Sequence, residues 1–348
     1  MLKGRIAWPL LLALTACAHA PQSNAPRELD ENEVKLDVTT GPQWKGWNGW
    51  MWPLSAAYRD REGWVDLHFM IDKSGKTYEI AVTDWTGDDA FKGAAVKAAE
   101  KWNFEPATYA GEPTEIGYHL RLYFAFSTDG NVRPQFARAY KEAVAAINDG
   151  DRPRAQARLQ KLLVQNLYED AMASFAKYQF EAKWGTEAGQ MLALRRAVAM
   201  ARWPRPRPRE LFASALQSLL VLELRAKDFS NALLTWDTLN TLKPEQAQAS
   251  GLQPKIDDVI ALRKDERAYM VPGEIAAGAS SWFYNLYKHR FQVVVASGHV
   301  SEIKLRCDRH YVSFGYDPAL YYRIADQYGD CGLELIGEPG TRFELIQS

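Results

Sequence analysis

What this sequence has little of narrows its function first. Net charge is almost absent: 42 Lys and Arg stand against 43 Asp and Glu, a formal charge of -1. Whole-protein electrostatics therefore give no reason to expect nucleic acid or a strongly acidic ligand. Long apolar runs are missing too. The one near the start, Ile6 to Leu14, is far short of the roughly 20 residues a spanning helix needs, and Pro9 interrupts it. Catalytic signatures are equally scarce. The 6 histidines (His19, His68, His119, His289, His299 and His310) form neither H-E-x-x-H nor a Cys/His ligand spacing, and no G-x-S-x-G, P-loop or dinucleotide fingerprint occurs. The expectation is a non-enzymatic protein that uses no cofactor and no metal. His68 sits on a strand face opposite its apolar neighbours and is expected to face solvent. The adjacent carboxylates Asp88 and Asp89 are expected to compensate a helix dipole and not to act as acid and base.

Cysteine is rare, with 3 in 348 residues. The first follows a layout that directs secretion: Lys3 and Arg5, the short apolar run, then Leu14-Thr15-Ala16-Cys17. Leu-Thr-Ala-Cys resembles a bacterial lipobox, in which cleavage precedes the cysteine and its thiol carries lipid, palmitate being one such acyl group. That resemblance implies a signal peptide at residues 1–16 and lipidation at Cys17. Ala18, where an aspartate would retain a lipoprotein at the inner membrane, implies anchoring at the outer membrane, facing the periplasm. Cys307 and Cys331 then remain in a compartment that permits disulfides. They are expected to bridge, the other reading being two buried free thiols.

Residues 17–40 are polar, carry two prolines and lack apolar periodicity, so they read as a tether. From residue 41 to 130 the pattern becomes strand, strand, helix, strand. Val65, Leu67, Phe69 and Ile71 alternate with Trp64, Asp66, His68 and Met70. Asp72-Lys73-Ser74-Gly75 supplies a hairpin turn, and Tyr78, Ile80 and Val82 continue on the return strand. Phe91, Ala94, Ala95, Ala98 and Trp102 then fall on one helical face, and residues 115–126 form a last, aromatic-rich strand.

These residues carry a specific resemblance. Trp52-Pro53-x-x-Ala56, Gly63-x-Val65, Ile71-Asp72-x-x-Gly75, Thr86-Gly87, Ala94-Ala95, Lys101-Trp102-x-Phe104-x-Pro106-Ala107 and Gly111-x-Pro113 look like the carboxy-terminal domain of the TonB family, in the right order and spacing. Departures are Trp52 where tyrosine is usual, Lys92 where aspartate is common, and an upstream segment with no recognisable Gln-Pro. The resemblance implies an edge strand that binds a short extended segment of outer-membrane transporters by strand addition. Its peptide-binding residues would be Ile116, Tyr118, Leu120, Leu122 and Phe124 on one face, with Tyr123 and Phe126 among those on the other. The competing expectation is that the edge is covered intramolecularly by the repeat array or pairs in a homodimer.

Residues 131–268 are rich in alanine and leucine at helical spacing. The segments 148–163 and 224–244 resemble parts of a tetratricopeptide repeat, so a degenerate helical array that packs on a neighbour is expected. Inside it, Arg202 to Arg209 alternates basic residues with proline and reads as a stiff link. Trp44, Trp47, Trp50 and Trp52 are expected to pack over the first sheet. Residues 269–348 turn to short strands, ending in a hairpin expected at Gly337-Glu338-Pro339-Gly340.

The whole is an α+β multidomain chain: a TonB-like ββαβ domain, an all-α array and a small all-β unit. The expected function is a non-enzymatic outer-membrane lipoprotein that binds a periplasmic or outer-membrane protein partner. The alternative is a genuine TonB-type transducer for outer-membrane transport, with residues 6 to 16 as its anchor.

Overall fold

A computed structural model of the chain describes residues 40–46, 52, 53, 56, 60–109, 111–126, 132–201 and 209–348. The expected signal, the Cys17 lipidation site and nearly all of the tether lie outside the described residues, as do Trp47, Trp50 and most of the basic proline-rich stretch. Among the described residues no helix is long and apolar enough to cross a membrane.

The first unit follows its alternating pattern. A short β1 (Gln43–Trp44) pairs with β4 (Phe104–Glu105), and a small β5 (Ala107–Tyr109) pairs with β6 (Glu112–Thr114). The main sheet is antiparallel, with β2 (Gly63–Ile71) central between β3 (Thr77–Trp85) and β7 (Ile116–Phe124). Helix α1 (Ala90–Ala99) lies across it, burying Phe91, Ala95 and Ala98 against Val65, Leu67, Phe69 and Ile71. The motif glycines are fixed by close approach. Gly75 closes the β2–β3 turn at φ +88°, and a Cβ there would sit 1.9 Å from the Phe104 carbonyl oxygen. Gly63 would meet the Thr86 carbonyl at 2.4 Å and the Phe91 ring at 2.9 Å. Trp44 and Trp52 pack as expected, Trp44 on Trp102 and Phe104, and Trp52 on Phe91, Phe124 and Phe126. At the start of α1, Asp88 accepts from the Ala90 amide and Asp89 pairs with Lys92.

Helices then pack mainly as successive antiparallel pairs: α2 (Pro134–Asn148) with α3 (Arg152–Gln160), α4 (Leu167–Trp184) with α5 (Glu187–Ala197), and α6 (Arg209–Arg225) with α7 (Phe229–Leu242). Short α8 (Pro244–Ala249) and α9 (Gln253–Leu262) follow. Gly150, at φ +79°, makes the α2–α3 turn, and the Asp151 carboxylate caps α3 by accepting from the Arg154 amide.

The last unit is a sandwich of two four-stranded sheets. One runs β13 (Tyr322–Arg323), β10 (Arg290–Ser297), β15 (Arg342–Gln347), β8 (Tyr269–Glu274). The other runs β12 (His310–Gly315), β11 (Val300–Cys307), β14 (Cys331–Gly337), β9 (Ser281–Asn285). The closing hairpin expected around residues 337–340 does not form, because β14 and β15 belong to different sheets. The turn instead crosses the sandwich beside a second crossing at Ser297-Gly298. Thr341 ties the two together, its Oγ1 accepting from the His299 amide and donating to the His299 carbonyl. Cys307 and Cys331 face each other across β11 and β14 and form a disulfide.

The three units interlock. The Glu62 carboxylate accepts from the amides of Leu167 and Phe126, and Arg196 pairs with Asp84 at 2.7 Å. Buried Arg306 of β11 reaches Glu79 of β3 and Glu334 of β14. Phe229 of α7 enters the sandwich core, and Tyr287 donates to the Val259 carbonyl. The array therefore packs on both neighbours.

Candidate functional site

Strand β7 is an outer strand of its sheet. It pairs with β2 from Gly63↔Phe124 to Ile71↔Ile116 without a register shift. Facing residues in an antiparallel pair alternate between exchanging both backbone bonds and exchanging neither. The Gly117 amide donates outward to the Asp308 carbonyl at 3.1 Å, so the alternation turns the backbone groups of His119, Arg121 and Tyr123 toward the outer edge as well. Those of Ile116, Tyr118, Leu120, Leu122 and Phe124 turn toward β2.

The five residues singled out in the sequence thus share one face, and that face is the core. Leu122 and Phe124 are buried, while Ile116, Tyr118 and Leu120 are partly buried against the α1 layer. Their side chains hold the strand in place; the outward hydrogen-bonding groups belong to the residues between them. On the other face, Arg121 makes a bidentate pair with Asp66 at 2.6 and 2.7 Å and donates to the Ala199 carbonyl. The Tyr123 hydroxyl donates to that same carbonyl at 2.8 Å. Phe126 stacks on Trp52 and is 54% exposed.

His68 is not solvent-facing. It is 4% exposed and stacks on His119, opposite it on β7, at 3.7 Å between ring centroids. The expectation failed because the helical array and the sandwich cover this face at His68, while the His119 ring stacked on it stays exposed on its outer side. Burial, then the neighbouring His119 and Arg306, push the His68 imidazole down to about 2. The histidine pair borders a cleft of about 200 Å³ shared by all three units, closed by Gly117, Ser230, Arg306 and the Cys307–Cys331 bridge. Among the described residues no group of three or more His, Cys, Asp or Glu side chains is placed to hold a metal.

The start of β7 is docked on the sandwich. The Glu115 carboxylate accepts from the Tyr78 hydroxyl at 2.7 Å and the Tyr311 amide at 3.3 Å, and pairs with His310 Nδ1 at 2.8 Å. Burial opposes its ionisation, but these donors hold it below the usual carboxylate range. Arg309 lies over the Tyr109 ring at 5.1 Å. Nothing in the linear sequence signalled these partners, which come from residues about 200 positions apart. The one available sign was Gly117, a glycine within an aromatic-rich strand.

The order, turn and packing of this sheet and helix agree with what comparison finds. Residues 51–126 match the family model described as Gram-negative bacterial TonB protein C-terminal. No curated protein matches the chain. The matched segment is well under half of the chain, and it points to a protein-interaction role in a Gram-negative cell envelope.

Proposed function

We propose that this chain is a non-enzymatic periplasmic binding protein whose TonB-like unit captures an extended peptide segment by adding it as a fourth strand beside β7. The observation that carries the reading is the outer position of β7, with the backbone groups of His119 and Arg121 directed away from β2. Such an edge gives affinity through main-chain hydrogen bonds. The partner class is an outer-membrane or periplasmic protein, an extended transporter segment being the first candidate. In the same reading Cys17 carries lipid and the chain sits on the outer membrane, facing the periplasm. Residues 6 to 16 are then a cleaved signal and not a transducer's anchor.

Two experiments test this. Full-length protein is titrated with ten-residue peptides copied from the periplasmic N-terminal segments of outer-membrane transporters. Binding is expected, and its loss in His119→Pro but not in His119→Ala, since both remove the ring stacked on His68 while only the proline also deletes the outward N–H, and both spare the β2–β7 ladder. Unchanged affinity in His119→Pro contradicts strand addition. Metabolic labelling with palmitate should mark the chain and vanish in Cys17→Ser; label that persists excludes Cys17 as the lipidated residue.

A further inference from the structure

The turn joining β11 and β12, with the first two residues of β12, lies against the sheet around the start of β7: Asp308 meets the outer edge itself, and Arg309, His310 and Tyr311 meet Tyr109, Glu115 and Tyr78 beside it. The Asp308 carbonyl accepts from the Gly117 amide at the place where an added strand would present its own carbonyl. Arg309 covers Tyr109, His310 pairs with Glu115, and the Tyr311 ring meets Tyr78 edge-on at 5.9 Å while its amide donates to Glu115. The fit depends on a missing side chain, because a Cβ on Gly117 would lie 2.6 Å from the Cys307 carbonyl oxygen. The tip is also held in shape from behind. The Cys307–Cys331 bridge fixes its base, the Asp308 amide donates to Asp330, and the Arg309 amide donates to Tyr328.

We propose that this turn is an intrachain cap on the edge of β7. Resting on the strand-addition reading, the cap holds the first outward position, so an incoming segment pairs from His119 onward until the tip is displaced. Release of the tip lengthens the available edge by the Gly117 position and strengthens capture. A strong partner is therefore one whose extended segment replaces the Asp308 carbonyl and continues antiparallel or parallel along His119 and Arg121. The tip meets the first unit through one backbone hydrogen bond, the Glu115 contacts and two ring contacts, few enough for an incoming strand to displace them.

The test compares full-length wild type with two variants that loosen the tip by different means. Gly117→Ala drives a methyl group against the Cys307 carbonyl and leaves every outward amide of β7 in place. Arg309→Ala combined with His310→Ala removes the side-chain contacts to Tyr109 and Glu115 without touching β7. Each is titrated with the same transporter-derived ten-residue peptides, and hydrogen exchange is followed over residues 115–119 in the absence of peptide. Both variants are expected to exchange faster there and to bind about five- to tenfold more tightly, the scale of one backbone hydrogen bond regained. Peptide binding that is equal or weaker in both variants overturns the cap and leaves strand addition standing. Absence of binding to all three forms overturns strand addition and the cap with it.

Discussion

Gly75 shows how a single residue type is dictated by a backbone. It combines a left-handed φ with a carbonyl oxygen inside the space a methyl group would need. Gly75→Ala should therefore cost on the order of 2–3 kcal/mol, measured as a lowered urea midpoint with unchanged slope. His68 makes a pH-dependent contribution. Its folded value is about 2, below the ordinary 6.5, so the unfolded chain takes up the proton first. Stability from this group is fully present above about pH 6.5 and declines as pH falls toward 2, at up to roughly 1.4 kcal/mol per pH unit for one proton. Facing it are His119 from β7 and Arg306 from β11, both of which oppose its protonation, while Asp66 and Asp308 lie beside His119. Denaturation midpoints taken from pH 7 to pH 5 should fall in wild type and fall less steeply in His68→Gln, where burial of His119 still depresses that imidazole. An equally steep fall in the variant would assign the dependence to other groups.

At the scale of elements, β7 is the strand on which the proposed function turns. Its inward residues and outward amides do different work, so substitutions should separate them. Phe124→Ala should destabilise the sheet by about 3–5 kcal/mol, as expected for a buried aromatic, and should show as a lowered melting temperature. His119→Pro should melt close to His119→Ala, which removes the same ring from His68, and should reduce peptide capture where the alanine does not. The first unit was legible in the sequence because its elements are local. Period-two alternation marked β2, Asp72 to Gly75 marked the turn, and the spacing of Phe91, Ala95 and Ala98 marked α1. The edge side chains were legible as a face, but which face is core depends on α1 lying there and on residues far away lying opposite. The misplaced hairpin at 337–340 has a related cause. A Gly-Glu-Pro-Gly turn between two alternating strands fits a hairpin or a crossing between sheets, and only the partners of β14 and β15 decide.

For the whole molecule, the sandwich and the array clamp the face of the TonB-like sheet that α1 leaves open. Arg306 is central to that clamp, since it is 4% exposed and bridges Glu79 and Glu334. Removing one partner of a buried ion pair leaves the other uncompensated, at a cost of about 3–5 kcal/mol. Arg306→Leu should thus loosen the sandwich from the sheet, seen in calorimetry as one unfolding transition splitting into two. A single, uniformly shifted transition would mean that the other interfaces suffice. Packing of the array on a neighbour was legible in the sequence, but the coupling of sandwich to sheet was not, because Glu79 and Arg306 are brought together only by the fold. The central claim is that β7 is a docking edge. Its most direct test is residue-resolved hydrogen exchange of full-length protein with and without a bound transporter-derived peptide. New protection is expected at the amides of His119 and Arg121, with Leu120 and Leu122 protected in both states. Binding with no change at His119 and Arg121 would contradict that claim.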